Sequence, residues 1–168
     1  MNKTLVAYYS LTGNTRRVAE AVHEALSGDK DILPLDEVED LDGYRLVFIG
    51  FPVHAHSLPF KVERFITSVK PGAKIALFCT HGSLPGHRLS REALEYAVVL
   101  AAKARILGTF CVRGRISLEA LDILARSPEH REWTEMAPSA EGHPDTSDLE
   151  EARAFARQVK ARSDHGER

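Results

Sequence analysis

Five short, continuous apolar runs, separated by helical patterns, constrain the fold of this chain more than any other feature. The runs fall at residues 4–9, 32–35, 46–49, 75–79 and 106–112. Strands that are apolar on both faces lie between two covering layers, which is the arrangement of parallel sheets in α/β proteins. The pattern therefore predicts an α/β fold with an open, doubly wound sheet of five parallel strands and helices on both faces.

Helical periodicity fills the segments between these strands. Val18, Val22 and Leu26 recur every four residues and Gly28 follows them, which is typical of an amphipathic helix and its end. The same reasoning predicts helices at residues 14–27, 59–68, 90–103, 118–126 and 147–160. Open sheets of this type bind ligands beyond the carboxyl ends of their strands. The loops after the first, third and fourth strands are therefore the candidate sites.

The length of 168 residues predicts a single domain over residues 1–168. Residues 114–146 form an insertion-like segment before the last helix, because they exceed what a minimal sheet of this type needs. This segment is polar, contains Pro128, Pro138 and Pro144, and carries the only tryptophan, Trp133. It follows the last strand, in a position from which it could cover a ligand or form a homodimer contact.

Charge and apolar patterning exclude several classes of protein. Lysine and arginine number 22 and aspartate and glutamate 24, so a net charge of −2 argues against nucleic-acid binding driven by bulk charge. No apolar run reaches the roughly 18 residues of a membrane-spanning helix. The chain shows no signal-peptide pattern, and Cys79 and Cys111 lie in apolar runs without metal-ligand spacing. These features predict reduced core cysteines in a cytoplasmic protein without a metal site.

The loop after the first strand has the composition of an anion site. Its sequence, S-L-T-G-N-T, places three hydroxyls, an amide and a glycine between a strand and a helix. The amides at the start of a helix are unpaired and attract anions, and a glycine allows close approach of the backbone. No lysine stands in the Walker position and no GxGxxG is present, which argues against a P-loop nucleotidase or a dinucleotide site.

This loop resembles the phosphate loop of the flavodoxin family. The resemblance implies a sheet of strand order 2-1-3-4-5 and a non-covalently bound flavin mononucleotide (FMN). It also implies that the FMN phosphate is bound by loop one, which we define as residues 10–15, with Leu11 at a variable position. The implied phosphate ligands are Ser10, Thr12, Gly13, Asn14 and Thr15.

Residues 50–59 resemble the second flavin loop of the same family. The resemblance assigns five positions next to the isoalloxazine ring: Pro52, Val53, His54, Ala55 and His56. The family often has tyrosine or tryptophan where His54 stands, so a weaker stacking contact is expected here. It also often has a glycine near Ala55–His56, and without that glycine a positive φ costs more conformational energy.

Residues 79–90 resemble the third flavin loop, whose backbone amides meet the pyrimidine edge of the ring. The resemblance assigns this role to Thr80, His81, Gly82 and Ser83. Residues 50–59 (loop two) and 79–90 (loop three), together with Arg91 directly after them, hold several basic side chains and no carboxylate: His54, His56, His81, His87, Arg88 and Arg91. A protonatable rim of this kind would stabilise an anionic reduced flavin, so the reduction potential is expected to rise below a pH of about 6.5.

Two functions follow from the resemblance. One is electron transfer between redox partner proteins, and the other is FMN-dependent reduction or oxidation of a small-molecule electron acceptor of quinone or tetrapyrrole type. A flavin-free signalling or interaction domain of the same shape is a third interpretation. No side chain stands out as a general acid or base, because the chemistry of such proteins belongs to the cofactor.

Overall fold

The computed structural model describes residues 3–54 and 56–165, and its centre is an open sheet of five parallel strands. The strand order is β2-β1-β3-β4-β5, as the resemblance implied. The strands are β1 (Lys3–Tyr8), β2 (Lys30–Pro34), β3 (Tyr44–Pro52), β4 (Lys74–His81) and β5 (Arg105–Arg113). Each contains the apolar run that predicted it or most of that run.

Helices cover both faces of the sheet. The helices of the described residues are α1 (Asn14–Ala25), α2 (Phe60–Ser68), α3 (Arg88–Leu100), α4 (Leu118–Ala125), α5 (Arg131–Met136) and α6 (Thr146–His165). Helices α1 and α6 pack on one face, and α2 and α3 pack on the other. The short helix α5 was not predicted, because its polar sequence gives no apolar period.

Alternation along the strands divides the core into two layers. In β1, Leu5 is fully buried against the α2 and α3 side, whereas the next residue, Val6, is fully buried against the α1 and α6 side. Val62 of α2 and Val18 of α1 are the corresponding fully buried helix residues. Because successive side chains of a strand point to opposite faces, a continuous apolar run fills both layers.

The prediction for the two cysteines is wrong. Cys79 and Cys111 form a disulfide between β4 and β5, with their Cα atoms 4.7 Å apart. The physical reason is the strand register, which places Cys79 directly beside Cys111 on neighbouring parallel strands. A register shift between Ile75 and Ala76 helps to set this pairing, and such a shift cannot be read from the apolar pattern.

The parallel arrangement brings the three candidate loops to the same edge of the sheet. Strands β1, β3 and β4 are neighbours, so the loops that follow them lie side by side. Strand β1 lies between β2 and β3, so the chain winds in opposite directions on its two sides. The topological switch point of the sheet therefore lies at this edge. Within the described ranges, no helix is long and apolar enough to cross a membrane.

Candidate functional site

A cleft of about 330 Å³ lies at the carboxyl edge of the sheet, where the three loops meet. Residues of all three loops and of the chain after β5 form its walls. They are Ser10, Leu11, Thr12, Asn14, Thr15, Pro52, Val53, His54, Thr80, His81, Gly82, Gly114, Arg115, Ile116, Ser117, Ala120, Ile123, Leu124, His130 and Trp133. The cleft lies within the size range of small-molecule sites.

Loop one presents the start of α1 without a side-chain cap. Gly13 is the N-cap residue, and its φ of +94° is a conformation that residues with a Cβ rarely adopt. The Ser10 hydroxyl accepts a hydrogen bond from the Gly13 amide at 3.1 Å, which holds the turn closed. Since no side chain caps this helix, the amides of its first turn are available to an anion.

Two hydrogen bonds connect loop one to other parts of the wall. The Thr15 hydroxyl is buried and lies 2.8 Å from the hydroxyl of Thr80 at the end of β4. The Asn14 side-chain amide donates to the carbonyl of Arg115 at 2.8 Å. Gly114 makes this contact possible, because a Cβ there would lie 2.9 Å from Asn14 Nδ2. Loop one is therefore held in place from two sides.

Loop two is a tight turn. The backbones of His54 and Ser57 exchange two hydrogen bonds of 2.9 Å, so the chain reverses between them. His56 adopts a φ of +72°, so the structure places a non-glycine residue in the conformation that glycine would favour. The His56 ring centroid lies 6.0 Å from that of His130 and 6.1 Å from that of Trp133.

Loop three is buried where it meets the cleft. His81 is 5% exposed, and its Nδ1 lies 3.0 Å from the hydroxyl of the fully buried Ser83. Burial lowers the pKa of His81 to about 4, and the charge of Arg113 acts in the same direction. His81 is therefore neutral at pH 7 and down to about pH 4. The protonatable rim predicted from the sequence does not include it.

Gly82 permits the closest approach in the cleft wall. A Cβ at this position would lie 2.2 Å from the side chain of Ile116, so only glycine lets the chain after β5 pack against loop three. Arg115 follows the same path and lies exposed, 3.6 Å from Glu141. The chain after β5 is thus in contact with loops one and three near its start.

Ten of the predicted site residues line this cleft, and three of the described ones do not. Gly13 forms the helix cap beside the cleft, Ser83 is buried behind His81, and His56 lies at the tip of loop two against Trp133. Ala55 lies outside the described residues. The ten that line it are Ser10, Thr12, Asn14, Thr15, Pro52, Val53, His54, Thr80, His81 and Gly82.

The sequence did not predict which residues after β5 line the cleft. The signals available were the position of this segment after the last strand and the presence of Trp133. We call residues 114–136 the post-β5 segment. It contributes a largely apolar surface, in which Ile116, Ile123, Leu124 and Trp133 line the cleft.

A separate cluster of His143, Asp145 and Asp148 has ligand atoms within 4.8 Å of one another. The hydrogen bonds within this cluster are those of a helix N-terminal cap. The Asp145 carboxylate accepts the Asp148 amide at 2.9 Å, and the Asp148 carboxylate accepts the Asp145 amide at 2.8 Å. His143 Nδ1 also contacts Asp148. These contacts stabilise the start of α6.

Comparisons with known proteins agree with this architecture. The chain is 29% identical over 169 residues to the flavodoxin-like domain-containing protein BilS of Clostridioides difficile strain CD3, covering 94% of this chain and 96% of that protein. Oxidised flavodoxin 2 of Bacillus cereus superposes with a TM-score of 0.63 at 20% identity, covering 95% of this chain and 99% of that one. A flavoprotein of Lactobacillus acidophilus NCFM, solved in complex with FMN, gives a TM-score of 0.54 at 17% identity, covering 66% and 93%.

A family model described as a flavodoxin domain matches residues 5–157. The match extends from β1 into α6 and includes all five strands except the first two residues of β1. It therefore covers loops one, two and three together with the post-β5 segment. The chain belongs to the flavodoxin domain family.

Proposed function

We propose that this protein binds FMN non-covalently in the cleft and transfers electrons through it. The observation that carries this proposal is the position of loop one. The uncapped start of α1 and the hydroxyls of Ser10 and Thr12 border the same cleft as loops two and three. A phosphate at loop one would place the rest of the ligand between the other two loops.

The residues around the cleft fit the two chemically different ends of FMN. Backbone amides, hydroxyls and the exposed Arg115 border the phosphate end, next to the start of α1. Other parts of the wall are apolar, with Val53, Ile116 and Leu124, and suit a flat aromatic ring. Family membership and the FMN complex of the Lactobacillus acidophilus flavoprotein support the same cofactor.

When bound, FMN supplies one-electron and two-electron redox chemistry. The chain's own residues bind and orient it and restrict its contact with water. His81 contributes a neutral wall, since its pKa is far below 7. The exposed side chains of Leu11 and Ile123 border the opening, where a redox partner protein would contact the molecule.

The test is to purify the full chain, release any bound ligand and identify it by mass spectrometry. We expect FMN in the purified protein, or stoichiometric uptake of added FMN with a change in its visible spectrum. The bound flavin should then accept electrons in an anaerobic reductive titration. Protein that remains folded and takes up no FMN would overturn the proposal.

A second candidate is an FMN-dependent reductase or oxidase of a small molecule of quinone or tetrapyrrole type. The observation that favours it is the post-β5 segment, because a covered cleft suits a substrate pocket better than an exposed flavin edge. Steady turnover of NADPH with quinones or tetrapyrroles would identify an enzyme. Absence of turnover, with rapid electron exchange with redox proteins, would identify a carrier.

A flavin-free signalling domain is less well supported by the site. Receiver-type domains need a cluster of carboxylates at the strand ends. Among the described residues that line the cleft, none is an aspartate or a glutamate. The hydroxyls and amides found there suit an anion instead.

A further inference from the structure

The Cys79–Cys111 disulfide lies next to a second cavity at the edge of the sheet. Cys111 is on β5, the last strand in the order of the sheet, whereas Cys79 is on β4 and is fully buried in the core. Cys111 is only partly buried, and it lines a cavity of about 390 Å³ between α3 and the start of α6. The disulfide therefore joins one core residue to one that borders a cavity large enough for a small molecule.

The walls of this cavity carry charges of both signs. Arg91 of α3 and Arg113 at the end of β5 line it, and so do Asp148 and Glu151 of α6. Positive charge near a cysteine favours its thiolate, which is the form that takes part in thiol–disulfide exchange. Because carboxylates are present as well, the cavity complements a molecule that carries both an ammonium and a carboxylate group.

Helix α3 begins beside the same cavity. Ser90 and Arg91, in its first turn, line the cavity together with Cys111. The His87 ring accepts a hydrogen bond from the Leu89 amide at 3.3 Å, which satisfies one of the amides at this helix start. The amides of the first turn carry partial positive charge, which acts in the same direction as the two arginines. The surroundings of Cys111 thus favour a thiolate over a neutral thiol.

The position of the two sulfurs fits attack from the cavity. In thiol–disulfide exchange, a thiolate attacks one sulfur while the other sulfur leaves from the opposite side. Cys111 lies between Cys79 and the edge of the sheet, since β5 is the outer of the two paired strands. A thiolate in the cavity therefore approaches Cys111 from the side opposite Cys79. The buried Cys79 is the leaving group, and in the reverse direction it is the resolving thiol.

We propose that Cys79 and Cys111 form a redox-active dithiol–disulfide site whose substrate is a small zwitterionic thiol of amino-acid or peptide type. In the first step the substrate thiolate bonds to Cys111 Sγ, the bond to Cys79 Sγ breaks, and Cys79 leaves as a thiolate. In the second step another substrate thiolate bonds to the sulfur of the attached substrate and releases Cys111. Two substrate thiols are oxidised to a disulfide, and the protons they release to solvent balance those taken up by the two cysteines. The reaction does not involve the proposed FMN cleft.

The experiment follows reduction of the folded full chain by excess reduced glutathione, with the protein thiols alkylated and counted by mass spectrometry. Reduction should yield two protein thiols while the circular dichroism stays native. Its rate should rise linearly with glutathione concentration and should not change in urea below the unfolding transition. Resistance to glutathione, or a rate that rises with such urea, would overturn the proposal, because the disulfide would then react only when the fold opens.

Single-cysteine variants test the asymmetry of the pair. C79S leaves Cys111 beside the cavity, where oxidised glutathione should form a mixed disulfide with it. The matched control is C111S, which leaves Cys79 in the core and should react on the order of 100-fold more slowly. Equal rates in the two variants would overturn the proposal. If C79S does not fold, the glutathione and urea dependence of wild type decides the result.

The variant R91Q tests the class of substrate. Arg91 is exposed in the cavity wall, and its 3.7 Å contact with Glu95 is an exposed pair on the same helix. R91Q should slow reduction by glutathione about threefold at low salt, and reduction by 2-mercaptoethanol, which lacks carboxylates, by less. The control R105Q removes an exposed arginine at the other end of β5 and should leave both rates unchanged. An unchanged rate with glutathione, or an equal loss with both thiols, would overturn the assignment of a charged substrate.

Discussion

The two ends of the cleft are built differently. The proposed phosphate end is a contiguous stretch, residues 10–15, whose geometry comes from one left-handed glycine and one helix start. The proposed ring end is formed by His54 of loop two, His81 of loop three and Trp133 of the post-β5 segment, which are distant from one another in sequence. A site made of backbone and hydroxyls is specified locally, whereas a site made of packed rings requires the tertiary fold to bring its parts together.

The largest expected effect is a loss of stability in acid, and it arises from His81 at the ring end of the cleft. Below pH 6.5 the unfolded chain protonates His81, whereas the folded chain does not until about pH 4. The free energy of unfolding should therefore fall as pH drops through this window, by about 3 kcal/mol in total. Urea denaturation from pH 7.5 to 4 measures it.

The variant H81N lacks the titrating ring and should lose this part of the pH dependence. The control is S83A, which removes the hydroxyl beside the ring but keeps the ring buried, and it should keep the acid sensitivity. Parallel pH profiles for wild type and H81N would contradict the prediction.

The next effect separates the phosphate end from the ring end. T12D places a carboxylate beside the expected phosphate, and two charges about 4 Å apart repel by about 4 kcal/mol at an effective dielectric constant near 20. Solvent at this exposed position reduces the repulsion, so we expect about a 100-fold loss of FMN affinity. Titrations with FMN and with riboflavin, which lacks the phosphate, measure it.

Riboflavin should bind T12D nearly as well as wild type, and the neutral variant T12N serves as the control for size. If T12D weakened riboflavin as much as FMN, the phosphate would not lie at loop one, and the division of the cleft into two ends would be wrong.

A smaller effect is expected from restoring an aromatic residue to loop two. H54Y should tighten the binding of FMN and of riboflavin by about fivefold, because a tyrosine ring offers more stacking surface than an imidazole. Unchanged affinity of H54Y for both ligands would contradict a ring contact at this position.

The smallest effect tests the turn itself. H56G relieves the positive φ of a residue with a Cβ and should raise the free energy of unfolding by about 0.5–1 kcal/mol. The control H54G lies in the same turn at a position without a positive φ, and it should lower stability through chain entropy. Chemical denaturation of both variants measures the changes in the free energy of unfolding. A change of the same sign in both variants would contradict the prediction.

The sequence predicted the outline of the fold and about half of the residues that line the candidate site. The apolar runs predicted all five strands, and Ser10–Thr15 predicted where an anion would bind. The ring end was harder, because Pro128 and Pro138 interrupt any apolar period around Trp133. Contacts such as Gly82 with Ile116 depend on how strand ends approach in space. The pairing of Cys79 with Cys111 depends on strand register in the same way.

That disulfide also makes the two edges of the sheet unequal. Edge strands have neighbours on one side and ordinarily open first in local unfolding. Strand β5 is covalently joined to β4 close to the point where the post-β5 segment begins, whereas β2, at the other edge, is joined to β1 by hydrogen bonds. Amide hydrogens near Cys111 should therefore exchange with solvent more slowly than those of β2, so that the edge supporting Trp133 is the more persistent one.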